Sequence, residues 1–278
     1  MSLAAKLPYN HPYAGGFPGL GAQALPQDAD CLDYLGRMAT ADGAGVEVSV
    51  ANAVDAFVVG LKSDGLWESL NASCLLCGPR TLAGALVPLR GVAPTAVAFT
   101  DGDYSRSAGL TGDGATTYLD SNVAGDAHDD ENHHWSVFPT SGSSDNRALF
   151  GYITNDLAGQ PDYSFSFLFA DASSNMLAYY LGGTTFYSGK GAATGLAGMS
   201  TNNDGTFTSR VDGINKQSAA ISQTPYPANH YVFARNNVPG AASRTDATIA
   251  FYSIGTSLDL ALLDSHVSNY VTAIGASI

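Results

Sequence analysis

Hydrophobic positions change their spacing twice along this chain. Between residues 28 and 78, Leu32, Leu35 and Met38, then Val50, Val54, Phe57, Val58 and Leu61, recur at helical intervals. Asp28 or Asp30 suits the N-cap of the first helix, and Gly43 and Gly45 separate it from the second. Leu66, Trp67 and Leu70 carry the pattern into a third short helix after Gly65. From about residue 79 the period falls towards two. It predicts strands over 84–89, 95–99, 116–119, 134–138, 147–153, 163–169, 176–181, 194–199, 206–211, 214–221, 230–235 and 245–253. Asp101-Gly102, Asp113-Gly114, Ser141-Gly142, Gly182-Gly183, Asp204-Gly205 and Asp212-Gly213 supply turns between them. Phe207 to Val211, then Asp212-Gly213, then Ile214 onward predicts a hairpin closed by a two-residue primed turn. After the last strand, Thr256 or Ser257 can cap a helix carrying Leu258, Leu260, Leu262, Leu263, Val267, Tyr270, Val271 and Ile274.

Many short strands at spacings of about 8–12 residues predict a mainly β fold, an antiparallel sandwich of jelly-roll type. The expected organisation is an extended arm over 1–27, a helical segment over 28–78, and the sandwich with its C-terminal helix over 79–278. The arm is broken by Pro8, Pro12, Pro18 and Pro26. It gains order by lying on its own body or on a neighbour, or else frays.

Composition sharpens this. Glycine is 31 of 278 residues and charged residues are 13%, which suits short elements and many turns rather than long helices. The net charge of −13 excludes a phosphate-neutralising nucleic-acid binder. The N-terminal stretch lacks a charged region followed by an apolar run, so no secretory signal peptide is expected. No segment reaches the roughly 18 apolar residues of a membrane span. The expectation is a protein made in the cytoplasm, with neither membrane nor nucleic acid as partner.

Candidate chemistry is sparse. The run from Asp126 to His134 holds His128, His133 and His134 among four carboxylates. Asp126, His128, Asp129, Asp130 and His133 are the candidate metal ligands there, although the spacing matches neither an EF-hand loop nor a zinc-binding HExxH helix. Eight of the 25 acids fall within 101–131, against one base, Arg106, and such clusters are commonly solvated loops. Cys74 and Cys77 form a lone CxxC at the end of the helical segment. Buried thiols are the favoured reading over a redox pair. The stretch Thr184 to Gly191 fails the phosphate-loop pattern, and no nucleophile elbow is present. Tyr163, Phe165, Phe167 and Phe169 alternate with small residues, which makes one sheet face aromatic. The sandwich core is the simpler use for it, and a sugar-stacking platform the other. No cofactor and no catalytic residue is implied.

Four segments resemble structural proteins of tailed bacteriophages. They are Ala53 to Trp67 (AVDAFVVGLKSDGLW), Arg80 to Leu89 (RTLAGALVPL), Gly109 to Asn122 (GLTGDGATTYLDSN) and Ala250 to Asp264 (AFYSIGTSLDLALLD). The family is that of concanavalin-like (laminin-G-like) jelly rolls on phage heads and tails. The resemblance covers about residues 28–278 and brings no site residue with it. It implies a non-enzymatic virion protein, displayed on the head or on the tail; residues 1–27 lie outside the resemblance, and the extended arm is separately expected to attach the protein. Other virion proteins and further copies of itself, as a trimer, would be its partners. Carbohydrate recognition on the host surface is the alternative, and glycan cleavage on the same fold a third.

Overall fold

The computed structural model describes residues 26–278 except 130, 145, 154–164, 172, 174, 181–182, 203–204, 220–224 and 239, with backbone alone for 165–169 and 202. Nearly all of the expected arm, together with Asp130 and Tyr163, lies outside the described residues.

Helix α1 (Ala29–Asp42) begins at Asp28, whose carboxylate accepts from the N–H groups of Asp30 and Cys31. It ends at Gly43, which adopts the left-handed conformation (φ 65°) that closes the last turn. Asp28 also pairs with Lys62, 2.7 Å away in the last turn of α2 (Val48–Ser63), so one carboxylate ties the start of one helix to the end of the next. A single 3-10 turn, Trp67–Ser69, follows. The chain then enters strand β1 (Leu70–Leu75), where a third helix was expected. Leu70 to Cys77 is buried at every position but Asn71, and such a run suits a strand covered on both faces. Helical periodicity in the sequence does not separate this case from a buried helix. The expected strand over 84–89 is also divided. Its first part is the short helix α3 (Leu82–Ala85), capped by Thr81, and only β2 (Pro88–Arg90) remains extended.

The remaining strands are β3 (Thr95–Val97), β4 (Tyr104–Ser105), β5 (Gly109–Thr111), β6 (Tyr118–Ala124), β7 (His134–Pro139) and β8 (Arg147–Ile153). After them come β9 (Phe165–Ala170), β10 (Met176–Tyr180), β11 (Gly183–Tyr187), β12 (Ala197–Asn202), β13 (Thr206–Val211) and β14 (Ile214–Ala219). The chain closes with β15 (Asn229–Val232), β16 (Arg235–Asn236), β17 (Ala241–Ala242), β18 (Thr248–Gly255) and helix α4 (Leu260–Ser277). The β13–β14 hairpin forms as the pattern predicts: Val211 pairs with Ile214, and Asp212 (φ 49°) and Gly213 (φ 74°) both take the positive φ of a primed turn. The cap of α4 is Asp259, slightly beyond the expected Thr256 or Ser257.

These strands form two sheets facing each other. The first runs β14-β13-β12-β7-β18-β1-β2, with β5 also on β18 and β4 on β5. The second runs β11-β10-β9-β8-β15-β6-β3, with β16 and β17 attached to β8. Among the described residues pairing is antiparallel apart from the β16–β8 contact and the isolated Ala148–Arg244 bridge, and the chain passes repeatedly from one sheet to the other. The expected mainly β antiparallel sandwich, with helices at both ends of the chain, is the architecture that forms.

Two apolar cores result. Trp135, Phe150, Phe207, Phe233, Tyr252 and Ile254 fill the space between the sheets. A second core lies outside the first sheet, where Tyr34, Phe57, Leu61, Val267 and Tyr270 from the helices pack on Leu75, Phe138 and Phe251. Phe57 meets Phe251 edge-on at 5.9 Å and Tyr270 at 5.4 Å between ring centres. The order of layers is therefore helices, first sheet, second sheet. Strands β7 and β18 are buried at every position because both of their faces are covered.

Among the described residues no helix packs on the outer face of the second sheet, and the pairings show which residues lie there. Leu119, Val232, Phe150, Leu168 and Ala178 lie in one row across five strands, and Leu119, Val232, Phe150 and Ala178 are fully buried. The adjacent row, Thr95, Asp120, Tyr231, Gly151, Phe167, Tyr179 and Thr184, crosses seven strands on the opposite face.

The loop before α2 is held by charge. Glu47 pairs with Arg80 (2.7 Å) and Arg106 (3.0 Å). Burial alone would raise the Glu47 carboxyl, but its own backbone N–H and the two guanidinium groups outweigh that and hold it below the ordinary range. A lowered carboxyl pKa contributes stability above the ordinary Glu value of about 4.3, and that contribution is lost as pH falls through the lowered value. Glu47→Gln should therefore flatten the acid limb of stability against pH, read from urea midpoints between about pH 6 and pH 3; an unchanged limb refutes the assignment. Phe57→Ala should cost about 3–5 kcal/mol of unfolding free energy, because it empties the junction of α2, α4 and β18. A loss below about 1 kcal/mol would mean the helical layer is not integral to the fold.

Candidate functional site

The uncovered face of the second sheet carries an aromatic and polar platform. Strands β6 and β15 place Tyr118 and Tyr231 diagonally across their ladder, with rings stacked at 4.6 Å and 28°. The guanidinium of Arg244 lies 5.8 Å from the centre of the Tyr118 ring. Asp120, directly opposite Tyr231, accepts from the Asn229 amide at 3.0 Å and from the Asn122 N–H at 2.9 Å. Asn122, at φ 56°, turns its own amide to the Ala93 carbonyl and to Thr95 Oγ1. Burial comes first, then the Asp120 carboxylate and the Tyr118 ring and hydroxyl, and together they push the Tyr231 phenol up to about 12.

On the other side of Tyr231 the paired residue is Gly151, which has no side chain to stand beside the ring. Tyr179 follows in the same row, three strand spacings or about 14 Å from Tyr231. Farther along, Phe186 on β11 is 48% exposed, the most exposed aromatic side chain among the described residues. The face therefore alternates aromatic surface with amide and carboxylate groups, as a polyhydroxylated ligand requires. Nothing in the spacing of Tyr118, Asp120, Asn229 and Tyr231 along the chain joins them, and only the β6–β15 register brings them together.

The predicted metal ligands separate into three sets. Asp126 and Asp129 are exposed on the loop between β6 and β7, and Asp130 lies outside the described residues. His128, half-buried on that loop, and His133, fully buried just before β7, come together with ring centres 5.2 Å apart. The structure adds a residue that the sequence does not single out. His230 of β15, also fully buried, stands edge-on to His133 at 5.5 Å. Three imidazoles thus meet between the two sheets, beneath the acidic loop. Burial lowers His128 and His133, the latter far below the ordinary range, and takes His230 down to about 3, so all three rings are neutral at neutral pH. As the rings stand, no three His, Cys, Asp or Glu side chains among the described residues converge on a common point.

His134, the next residue, behaves differently. One ring nitrogen bonds the Thr256 carbonyl and the other the Ser253 hydroxyl, so it cross-links β7 to the end of β18. Other acids of the 101–131 region also have local structural work. Asp113 accepts from the N–H groups of Ala115, Thr116 and Thr117 in one turn, and these bonds outweigh burial and hold its carboxyl far below the ordinary range. Asp103 accepts from Thr100. Cys74 and Cys77 are fully buried, and burial pushes both thiols up to about 12, which leaves no thiolate for redox chemistry. A hollow of about 420 Å³ between the start of α4 and strands β12–β14 is lined by Ser200, Thr201, Thr208 and Asn215. It is a polar seam of the fold, since Ser200 accepts from the Leu258 N–H there.

No family model and no curated protein matches the chain. Solved structures with partial likeness include the NanB sialidase from Streptococcus pneumoniae, at 17% identity and TM-score 0.36, over 49% of this chain and 24% of that one. The Ruminococcus gnavus IT-sialidase CBM40 aligns at 10% identity and TM-score 0.35, over 51% of this chain and 83% of that one. Full-length tailspike protein 2 from Escherichia coli O157:H7 bacteriophage CAB120 aligns at 17% identity and TM-score 0.37, over 66% of this chain and 26% of that one. This chain thus corresponds to about a quarter of the sialidase and of the tailspike. Likenesses of this size carry neither activity nor site residues across.

The stacked tyrosine pair has a direct test. A double-mutant cycle of Tyr118→Leu and Tyr231→Leu should give a coupling of about 0.5–1.5 kcal/mol in urea unfolding. Strictly additive losses would show that the rings do not interact in solution.

Proposed function

We propose that this chain is a non-enzymatic structural module of a tailed-phage particle, and that its uncovered sheet face recognises carbohydrate on the host surface. The virion part rests on the four phage-like segments. Three of them fall in structural positions: Ala53 to Trp67 in α2 and the turn after it, Gly109 to Asn122 across β5 and β6, and Ala250 to Asp264 from β18 into α4. The recognition part rests on one observation, the Tyr118–Tyr231 stack set beside Asp120, Asn229 and Gly151 on a face that no helix covers. Aromatic faces pack against the C–H surface of a sugar ring, and amide and carboxylate groups take its hydroxyls. Asp120 serves here as an acceptor already engaged by two N–H donors, which suits binding rather than acid–base chemistry. Residues 1–27 would attach the module to the particle or to its neighbouring copies in a trimer.

A glycan array probed with the purified protein tests the recognition part. At least one host-surface glycan should bind, and Tyr231→Ala should weaken it about tenfold or more with the melting temperature little changed. An array without hits, or a variant that binds as well as the parent, removes the recognition reading. Deletion of residues 1–27 tests attachment: a folded body that still joins particles normally would overturn that role for the arm.

A further inference from the structure

His128, His133 and His230 pose a problem that the carbohydrate reading does not address. Four of their ring nitrogens, His128 Nδ1, both nitrogens of His133 and His230 Nε2, are buried without a hydrogen-bond partner. Neutral imidazole always has one N–H and one lone pair, so His133 buries an unsatisfied donor and an unsatisfied acceptor. Each such group gives up its hydration with nothing in return when left unpaired. Burial of this kind calls for a bound water or ion.

The geometry favours an ion. The His230 Nδ1 faces the Val123 carbonyl at 3.3 Å, so that nitrogen carries the proton and Nε2 presents its lone pair to the cluster. A ring fixed through its far nitrogen by a backbone carbonyl is the usual support of a metal-bound histidine. The ring spacing agrees. Two imidazoles on one tetrahedral ion, at Zn–N distances of about 2.0–2.1 Å, hold their ring centres roughly 5 Å apart. The observed separations along the cluster are 5.2 and 5.5 Å. The backbone at His133 is also clamped: its N–H donates to Thr201 Oγ1 at 2.8 Å and its carbonyl accepts the Thr201 N–H at 2.9 Å. The least enclosed of the three rings is that of His128, on its loop, and it is the ring that has to turn if all three are to share one ion.

We propose that His128, His133 and His230 bind one divalent transition-metal ion of the zinc class between the two sheets. Three neutral imidazoles suit Zn²⁺, Co²⁺, Ni²⁺ or Cu²⁺ and are poor ligands for Ca²⁺ or Mg²⁺. The ion would fasten the β6–β7 loop to β7 and β15, and a water or Asp129, which neighbours His128, would take the fourth position. Its role is structural, and it stands or falls independently of any sugar bound on the outer face.

The test uses the full chain stripped with chelator and dialysed. Titration with Co²⁺ should develop the visible absorption of a tetrahedral site with a one-to-one end point, and Zn²⁺ should abolish it by displacement. Zn²⁺ should also raise the melting temperature, whereas Ca²⁺ should not. His128→Ala, in a half-exposed loop, should fold normally yet lose at least tenfold in Co²⁺ affinity, and His230→Gln should do the same. Asp126→Asn should bind as the parent does. The proposal is overturned if Co²⁺ gives no tetrahedral spectrum, or if His128→Ala binds as tightly as the parent. Either result leaves buried water as the occupant of the cluster. If His230→Gln fails to fold, the His128→Ala titration decides alone.

Discussion

Strand β18 is paired along both edges and covered on both faces, and the rest of the molecule is arranged around that condition. It bonds β7 on one side and β1 and β5 on the other. Phe251 faces the helices while Tyr252 and Ile254 face the second sheet. A strand so enclosed must be apolar or have its polar groups paired internally, and Thr248 to Gly255 meets that demand. Ser253 bonds both Ser136 and His134, and Thr248 bonds Thr111 and Ser141. The helices cover the first sheet over β1, β18 and β7, whereas among the described residues no helix lies on the outer face of the second sheet. That outer face is the one proposed above to meet a partner.

The same arrangement explains where the two candidate sites lie. The tyrosine platform occupies the outer row of the uncovered sheet. The histidine cluster occupies the inner space at one end of the sandwich, where His133 leads into β7 of one sheet and His230 belongs to β15 of the other. They are back to back on β15, since His230 and Tyr231 are adjacent residues whose side chains fall on opposite faces. A ligand on one face and an ion on the other would therefore act on the same strand.

Much of the fold could be read from the sequence, for physical reasons that differ element by element. Asp28 and Gly43 bound α1 because caps act through their immediate neighbours. Asp212-Gly213 closes its hairpin because a primed turn needs positive φ at both central positions. The pattern carries helix on to Leu70, where β1 begins instead, because continuous burial erases periodicity. The expected strand over 84–89 loses Gly84 and Ala85 to α3 because Thr81 can cap a turn as readily as it can extend a strand. The sites were less legible. His128 and His133 are near each other in the chain and were singled out together, whereas His230 joins them only through the packing of the two sheets. Tyr118 and Asp120 acquire meaning from register with Tyr231, and register is a property of pairing that no single segment encodes.

The central position of β18 also governs how the protein must assemble. Cys74 and Tyr252, neighbours in the finished sheet, are 178 residues apart in the chain. The first sheet is therefore closed by a strand made long after its two neighbours, β1 and β7. Until then β1 and β7 lack the strand that lies between them, and α2 lacks α4. Contacts this distant in sequence make folding slow, and unpaired apolar edges invite association with other chains in the meantime. Many copies synthesised together would expose the same two edges at once.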